Sequence, residues 1–159
     1  MFCLGLVMID KWHLRYFKLA FEISQWSKDP STAVGAICVG TYGQILSQGY
    51  NGFPRGVLDL PQRLNEKETK YNFTIHAEMN CIYNASLSGI SLNESKLYVY
   101  GLPICHECAK GVIQSGIKKV YCAYDASISH KWVDSWSISK TMFAEAGVLF
   151  RTFNNIDIK

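Results

Sequence analysis

No stretch of these 159 residues approaches the roughly 20 consecutive apolar residues of a membrane-spanning helix, so no membrane role is expected. The opening MFCLGLV is apolar, but it lacks the basic stretch and small-residue cleavage site of a secretory leader. Repeats and low-complexity tracts are missing too, which excludes a solenoid or a long disordered tail. Charge of one sign is scarce. Sixteen Lys and Arg against 13 Asp and Glu leave a net +3, which suits an anionic small molecule and is weak for a polynucleotide partner. A disulfide framework is equally unsupported. The six cysteines stand at 3, 38, 81, 105, 108 and 122, and Cys38, Cys81 and Cys122 lie inside apolar stretches, where a free thiol behaves as a small hydrophobe. A reducing, cytoplasmic setting is expected, or a host cytoplasm if the source is viral. Met8 directly precedes IDKWHLRYF, so the natural start is expected there, with residues 1–7 a loose extension.

What is present is the core of one domain, taken as residues 1–159. Hydrophobic residues make up 48% and charged residues 18%, ordinary for a globular protein. KWHLRYFKLAFEISQW (11–26) carries apolar residues at helical spacing behind Asp10, a good N-cap. STAVGAICVG, the turn TYGQ and ILSQGYN read as a β-hairpin. Residues 54–74 are polar and weakly periodic, and read as a long crossover with one helical turn. After them a helix and a strand alternate three times, with Gly89, Gly116 and Gly147 stopping the helices. The order predicts an α/β fold: a mixed sheet of about five strands in a three-layer α/β/α arrangement.

One short segment carries the chemistry. In LPICHECAKGVIQSGIKKV (102–120), Cys105 and Cys108 open a helix, where partial positive charge favours thiolates. A redox pair would use the same feature, so the helix alone does not decide. HAE (76–78) opens another helix and supplies the missing element. His76, Cys105 and Cys108 are three ligands for a tetrahedral zinc, with the fourth position left to water, as in catalytic sites. Glu78, two residues after His76, is free to carry protons. The pattern is the known H-x-E…P-C-x-x-C signature of zinc deaminases of bases. One departure stands out. Ile104 replaces the proline directly before the first cysteine, and Pro103 sits one place earlier. His106 is expected to point away from the cysteines' shared face. His13 and His130 are expected to be surface or packing residues, and Trp132 and Trp136 a packing stripe.

Four blocks then carry a resemblance: WSKDPSTAVGA (26–36), GYNGFPRG (49–56), HAEMNCIYNA (76–85) and CHECAKGVIQSGIKKVYC (105–122). Together and in this order they resemble the dCMP deaminases of the zinc-dependent cytidine deaminase superfamily. The resemblance implies the cytidine-deaminase-like fold, one zinc per chain, and hydrolysis of dCMP to dUMP and ammonia. It implies that Glu78 moves protons between water, the ring nitrogen and the departing amine. Asn51 is expected to hold the nucleoside, and the backbone N–H of Ala77 to meet the base carbonyl. Ser27 and Lys28 are the first candidates for the phosphate, with Arg63 a third, and Tyr124 is placed beside the sugar-phosphate. Some members are hexamers activated by dCTP and inhibited by dTTP, so a homo-oligomer and these effectors are implied. CMP or a 5-modified cytosine nucleotide stays open as substrate. The rivals are a tRNA adenosine editor, a non-catalytic zinc module on the same fold, and a plain C-x-x-C oxidoreductase.

Overall fold

The computed structural model of the chain describes residues 9–127, 130–154 and 156–158, and of His130 only the backbone. The expected start at Met8 and the extension 1–7 lie outside them, as does the side chain of His130. Helix α1 (Lys11–Ser24) is followed by β1 (Gly35–Val39), β2 (Ile45–Tyr50), α2 (Pro61–Asn65), α3 (Lys67–Phe73) and α4 (Ala77–Leu87). Then come β3 (Lys96–Gly101), α5 (His106–Gln114), β4 (Lys119–Tyr124), a short 3-10 turn (His130–Trp132), α6 (Val133–Glu145) and β5 (Leu149–Asn154). The sheet has five strands in the order β2-β1-β3-β4-β5. Strand β1 is antiparallel to both neighbours, while β3, β4 and β5 run parallel. The expected mixed sheet is what forms.

Alternation along each strand divides the core. Ala36, Cys38, Leu97, Val99, Val120 and Cys122 face α4, α5 and α6. Ile37, Val39, Tyr98, Tyr121 and Ala123 face Phe17, Ala20 and Ile23 of α1. Successive side chains leave a strand on opposite faces, so strands buried on both sides read as continuous apolar runs. His13 lies in the second layer. Its Nδ1 is 2.8 Å from the hydroxyl of Tyr98, and its ring meets Tyr121 at 4.5 Å. It is a packing residue with one polar partner. Asp10 caps α1 as expected, its carboxylate accepting the Trp12 N–H at 2.7 Å.

Residues 54–74 correct the sequence reading, because two short helices replace the single turn. Pro61 stands in the first turn of α2, and Glu66 caps α3 by accepting the N–H groups of Glu68 (3.1 Å) and Thr69 (2.7 Å). Glutamate is an unusual N-cap, and helices of five and seven residues carry little periodicity, so the pattern is too weak to read.

Helix α4 lies directly on β2. A Cβ at Gly49 would stand 2.3 Å from the Cys81 nitrogen and 2.7 Å from the Ala77 carbonyl oxygen, so only glycine fits there. Side chains then tie helix to strand. Ser47 Oγ donates to the Cys81 carbonyl (2.7 Å), Asn80 Nδ2 to that of Tyr50 (2.8 Å) and Asn84 Nδ2 to that of Gln48 (2.7 Å). A two-bond bridge between Gly52 and Ile75 leads the chain into α4. Gly49→Ala is therefore expected to force α4 off the sheet and to cost about 1–3 kcal/mol, the range for overpacking a tight contact. Urea unfolding measures it; an unchanged midpoint would refute the close-packing account.

Candidate metal centre and its cavity

Two helices start at the same place. His76 is the N-cap of α4 and Cys105 the N-cap of α5, and the two N-termini meet beyond the ends of β1 and β3. Helix α5 approaches α4 closely, since Gly111 leaves room for Met79, whose sulfur would stand 2.6 Å from a Cβ there. His76 Nδ1 thus lies 3.4 Å from Cys105 Sγ and 3.3 Å from Cys108 Sγ. Bond lengths of about 2.0 Å to nitrogen and 2.3 Å to sulfur give a tetrahedral zinc N···S edges of about 3.5 Å. The observed edges match within a few tenths of an ångström, and a set of one imidazole and two thiols suits a borderline-soft cation. Among the described residues, His76, Cys105 and Cys108 are the group whose donor atoms could hold a metal, all within 4.8 Å of one another.

Electrostatics in the metal-free cluster reflect a shared proton. Cys108 donates to Cys105 and lowers it to about 4, and the same interaction pushes Cys108 upward. The Cys105 contact in turn raises His76 to about 9. A divalent cation held by these three residues would displace the Cys108 thiol proton and one imidazole proton, leaving two thiolates and a neutral imidazole. Glu78 sits in the first turn of α4 and is 4% exposed. Burial raises it to about 7, against the opposing pull of His76.

His76, Glu78 and Cys105 line a cavity of about 390 Å³, and Cys108 is buried out of it. Ala77, at the start of α4, lies on the same wall, where first-turn N–H groups have no helical acceptor. Leu102 and Pro103 line it from the β3 exit, and Trp132, Ser135 and Trp136 from α6 and the turn before it. Ile104, the residue that departs from the signature, is fully buried, and its carbonyl accepts from Ser139 Oγ at 2.8 Å. Ile104 turns into the core, and Pro103 stands against the cavity.

Several sequence expectations change here. His106 stays outside the ligand set, as expected, but it lines the cavity: its N–H donates to Ser135 Oγ at 2.9 Å, and its Nδ1 lies 2.8 Å from the same oxygen. Trp132 and Trp136 are cavity wall rather than a packing stripe. Tyr124 meets Trp136 in a tilted ring contact, centroids 5.9 Å apart, and is not among the lining residues. Asn51 reaches the cavity, but its amide clasps the backbone ahead of β1. Its Oδ1 accepts the Val34 N–H (2.9 Å), and its Nδ2 donates to the Thr32 carbonyl (2.8 Å).

The phosphate candidates are not on the cavity wall. Ser27 Oγ donates to the Asn51 carbonyl at 2.8 Å. Lys28 pairs with Asp59 at 2.6 Å beside a separate cleft of about 70 Å³. Arg63 donates to the Leu58 carbonyl and lies over the Phe73 ring. Sequence reading chose Lys28 and Arg63 by charge and Ser27 by its place beside Lys28, and each is engaged elsewhere. It missed Asp29, Ser31, Lys70, Tyr71 and Thr74, which do line the cavity. The signal for Asp29 and Ser31 lay within the SKDPST block itself.

Glu78 yields a pH prediction for metal-free protein. A carboxyl group raised from 4.5 to about 7 contributes stability that is fully present below 4.5 and lost as the pH climbs through 7. Glutamine escapes that loss. In chelated protein, Glu78→Gln should melt above wild type near pH 8 and converge with it near pH 5. Melting curves at both pH values test this, and an equal gap at both would rule out ionisation as its source.

Residues 10–124 match the family described as the cytidine and deoxycytidylate deaminase zinc-binding region. The chain is 41% identical to an uncharacterized deaminase of Aliivibrio fischeri over 89% of its own length and 92% of that protein. It is 40% identical to the deoxycytidylate deaminase of Mus musculus over 90% of its length and 80% of that enzyme. Its fold superposes on the dCMP deaminase of cyanophage S-TIM5, solved with dCMP and dUMP, with a TM-score of 0.72 and 28% identity, covering 92% of this chain and 99% of that one. A His/Cys/Cys set at two helix N-termini, a buried glutamate beside it and these matches lead to one conclusion: the chain belongs to the cytidine and deoxycytidylate deaminase family.

Proposed function

We propose that the chain hydrolyses dCMP to dUMP and ammonia. The observation that carries this reading is the juxtaposition of the His76, Cys105 and Cys108 cluster with Glu78, buried and outside the ligand set, with His76, Cys105 and Glu78 lining a cavity large enough for a nucleotide. Support for the substrate comes from the relatives, among them the mouse deoxycytidylate deaminase and the phage enzyme solved with dCMP and dUMP. His76, Cys105 and Cys108 would hold the zinc ion, one per chain, which supplies Lewis-acid activation of water at neutral pH. Glu78 takes the proton of the attacking water as its oxygen bonds to the ring carbon that carries the amine. It passes that proton to the ring nitrogen. Glu78 then takes the proton of the newly formed hydroxyl group and delivers it to the amine, so that the carbon–nitrogen bond breaks, ammonia leaves and a ring carbonyl remains. Burial makes it a stronger base than an exposed carboxylate. Leu102, Pro103, Trp132 and Trp136 give the flat base an apolar slot and keep bulk water out. The resemblance extends the proposal to a homo-oligomer, hexameric in some members, with dCTP and dTTP as effectors.

Ammonia release from dCMP, CMP, deoxycytidine and a short RNA tests the assignment, with dCMP expected to have the highest kcat/KM. Preference for deoxycytidine would leave a nucleoside deaminase, and reaction of RNA alone an editing enzyme. Glu78→Gln should retain zinc while losing about 10²–10⁴-fold in kcat or more. Cys105→Ala and Cys108→Ala should lose zinc by elemental analysis. Near-normal turnover by Glu78→Gln would remove Glu78 from the proton path.

A further inference from the structure

A nucleotide brings a multiply charged phosphate into the cavity, and buried charge without a partner is costly. Among the described residues that line the cavity, Lys70 is the single lysine or arginine. It sits near the C-terminal end of α3, and its side chain is 7% exposed. Lysine is almost never buried this deeply unless paired. Its ammonium donates to Asp29 Oδ1 at 3.0 Å and to Ser31 Oγ at 3.1 Å. The same carboxylate oxygen also accepts the N–H groups of Ser31 (2.8 Å) and Thr32 (3.1 Å). The negative partner of Lys70 is therefore already held by three donors. An ammonium has three N–H groups, and two are engaged among the described contacts. Thr74, itself on the cavity wall, donates its hydroxyl to the Lys70 carbonyl at 2.7 Å and fixes the end of α3. The result is a preorganised cation with hydroxyl neighbours, in the same cavity as His76 and Glu78.

We propose that Lys70, held in place by Asp29 and Ser31, is the specificity-determining residue that meets the substrate's 5′-phosphate. The proposal rests on the dCMP reading. It assigns to Lys70 the contact that charge alone suggested for Lys28 and Arg63. A purely structural Lys70–Asp29 pair would instead staple α3 to the loop ahead of β1 and affect every substrate alike. Lys131 is the natural control. It stands outside the lining residues, with its ammonium 3.0 Å from the Tyr71 hydroxyl and 4.8 Å from the Trp132 ring.

The test is kcat/KM for dCMP and for deoxycytidine in the zinc-loaded wild type and in Lys70→Met, Lys70→Arg and Lys131→Ala. Lys70→Met is expected to lower the dCMP-to-deoxycytidine ratio by about 10–100-fold, the scale of one charge-assisted hydrogen bond. Lys70→Arg should recover part of it, and Lys131→Ala should leave it unchanged. Calorimetric affinities for dUMP and deoxyuridine should shift in the same ratio. If Lys70→Met does not fold, the pair Asp29→Asn with Lys70→Met removes both buried charges and carries the same readout. Equal losses on both substrates, or a ratio that responds to Lys131 instead, overturn the assignment. A wild type that prefers dCMP while Lys70→Met keeps that preference overturns Lys70 alone. A wild type that turns over neither substrate overturns the dCMP reading with it.

Discussion

The contact between Gly49 and the backbone of α4 is the constraint from which the site follows. A strand and a helix this close leave no room for a side chain, and the helix is held in register by Ser47, Asn80 and Asn84. That register sets where the chain enters α4, and so where His76, Ala77 and Glu78 stand. The same economy of space recurs between α4 and α5 at Gly111. Two helix N-termini are thereby brought to one point although their ligands lie 29 and 32 positions apart in sequence. Strand β3, between them in the chain, pairs with β1 on one side and β4 on the other and spaces the two helices.

Charge is distributed unevenly through the cavity. One set of lining groups is His76, Cys105 and the buried carboxyl group of Glu78 at the positive ends of two helices, an arrangement that a divalent cation would complete. A second set is a carboxylate and an ammonium bound to each other, with hydroxyl and backbone donors around them. Leu102, Pro103, Trp132 and Trp136 add apolar wall. A ligand suited to such a cavity combines a neutral aromatic body with polar groups.

Sequence made the first set legible and the second obscure, for a physical reason. His76, Glu78, Cys105 and Cys108 are fixed by local spacing at helix starts, and local spacing is what a sequence displays. The layer order was legible too, because β1, β3 and β4 are buried on both faces and stand out as apolar runs. Lys70 owes its meaning to Asp29, 41 positions away, and its own segment has little periodicity. His106 and Trp136 reach the cavity only because α6 packs beside α5, with Ser135 joining them. Lys28 looked available because its partner Asp59 lies across a loop that sequence does not fold. Asn51, expected from the resemblance to hold the nucleoside, lines the cavity with its amide engaged by the backbone of residues 32 and 34.

The burial of the other thiols has a consequence for chemical labelling. Cys38 and Cys81 face each other inside the core with their sulfurs 3.5 Å apart, and Cys122 is enclosed beneath the sheet. Alkylating reagents attack accessible thiolates, and these three are not accessible; in addition, contact with Cys81 and burial hold Cys38 high, and burial does the same for Cys122. Cys105 is the opposite, partly open to the cavity and held as a thiolate by its neighbours. A cation at the site engages that sulfur and shields it. Among the described cysteines, the rate of alkylation therefore follows one atom, and that atom reports in solution whether the metal is in place.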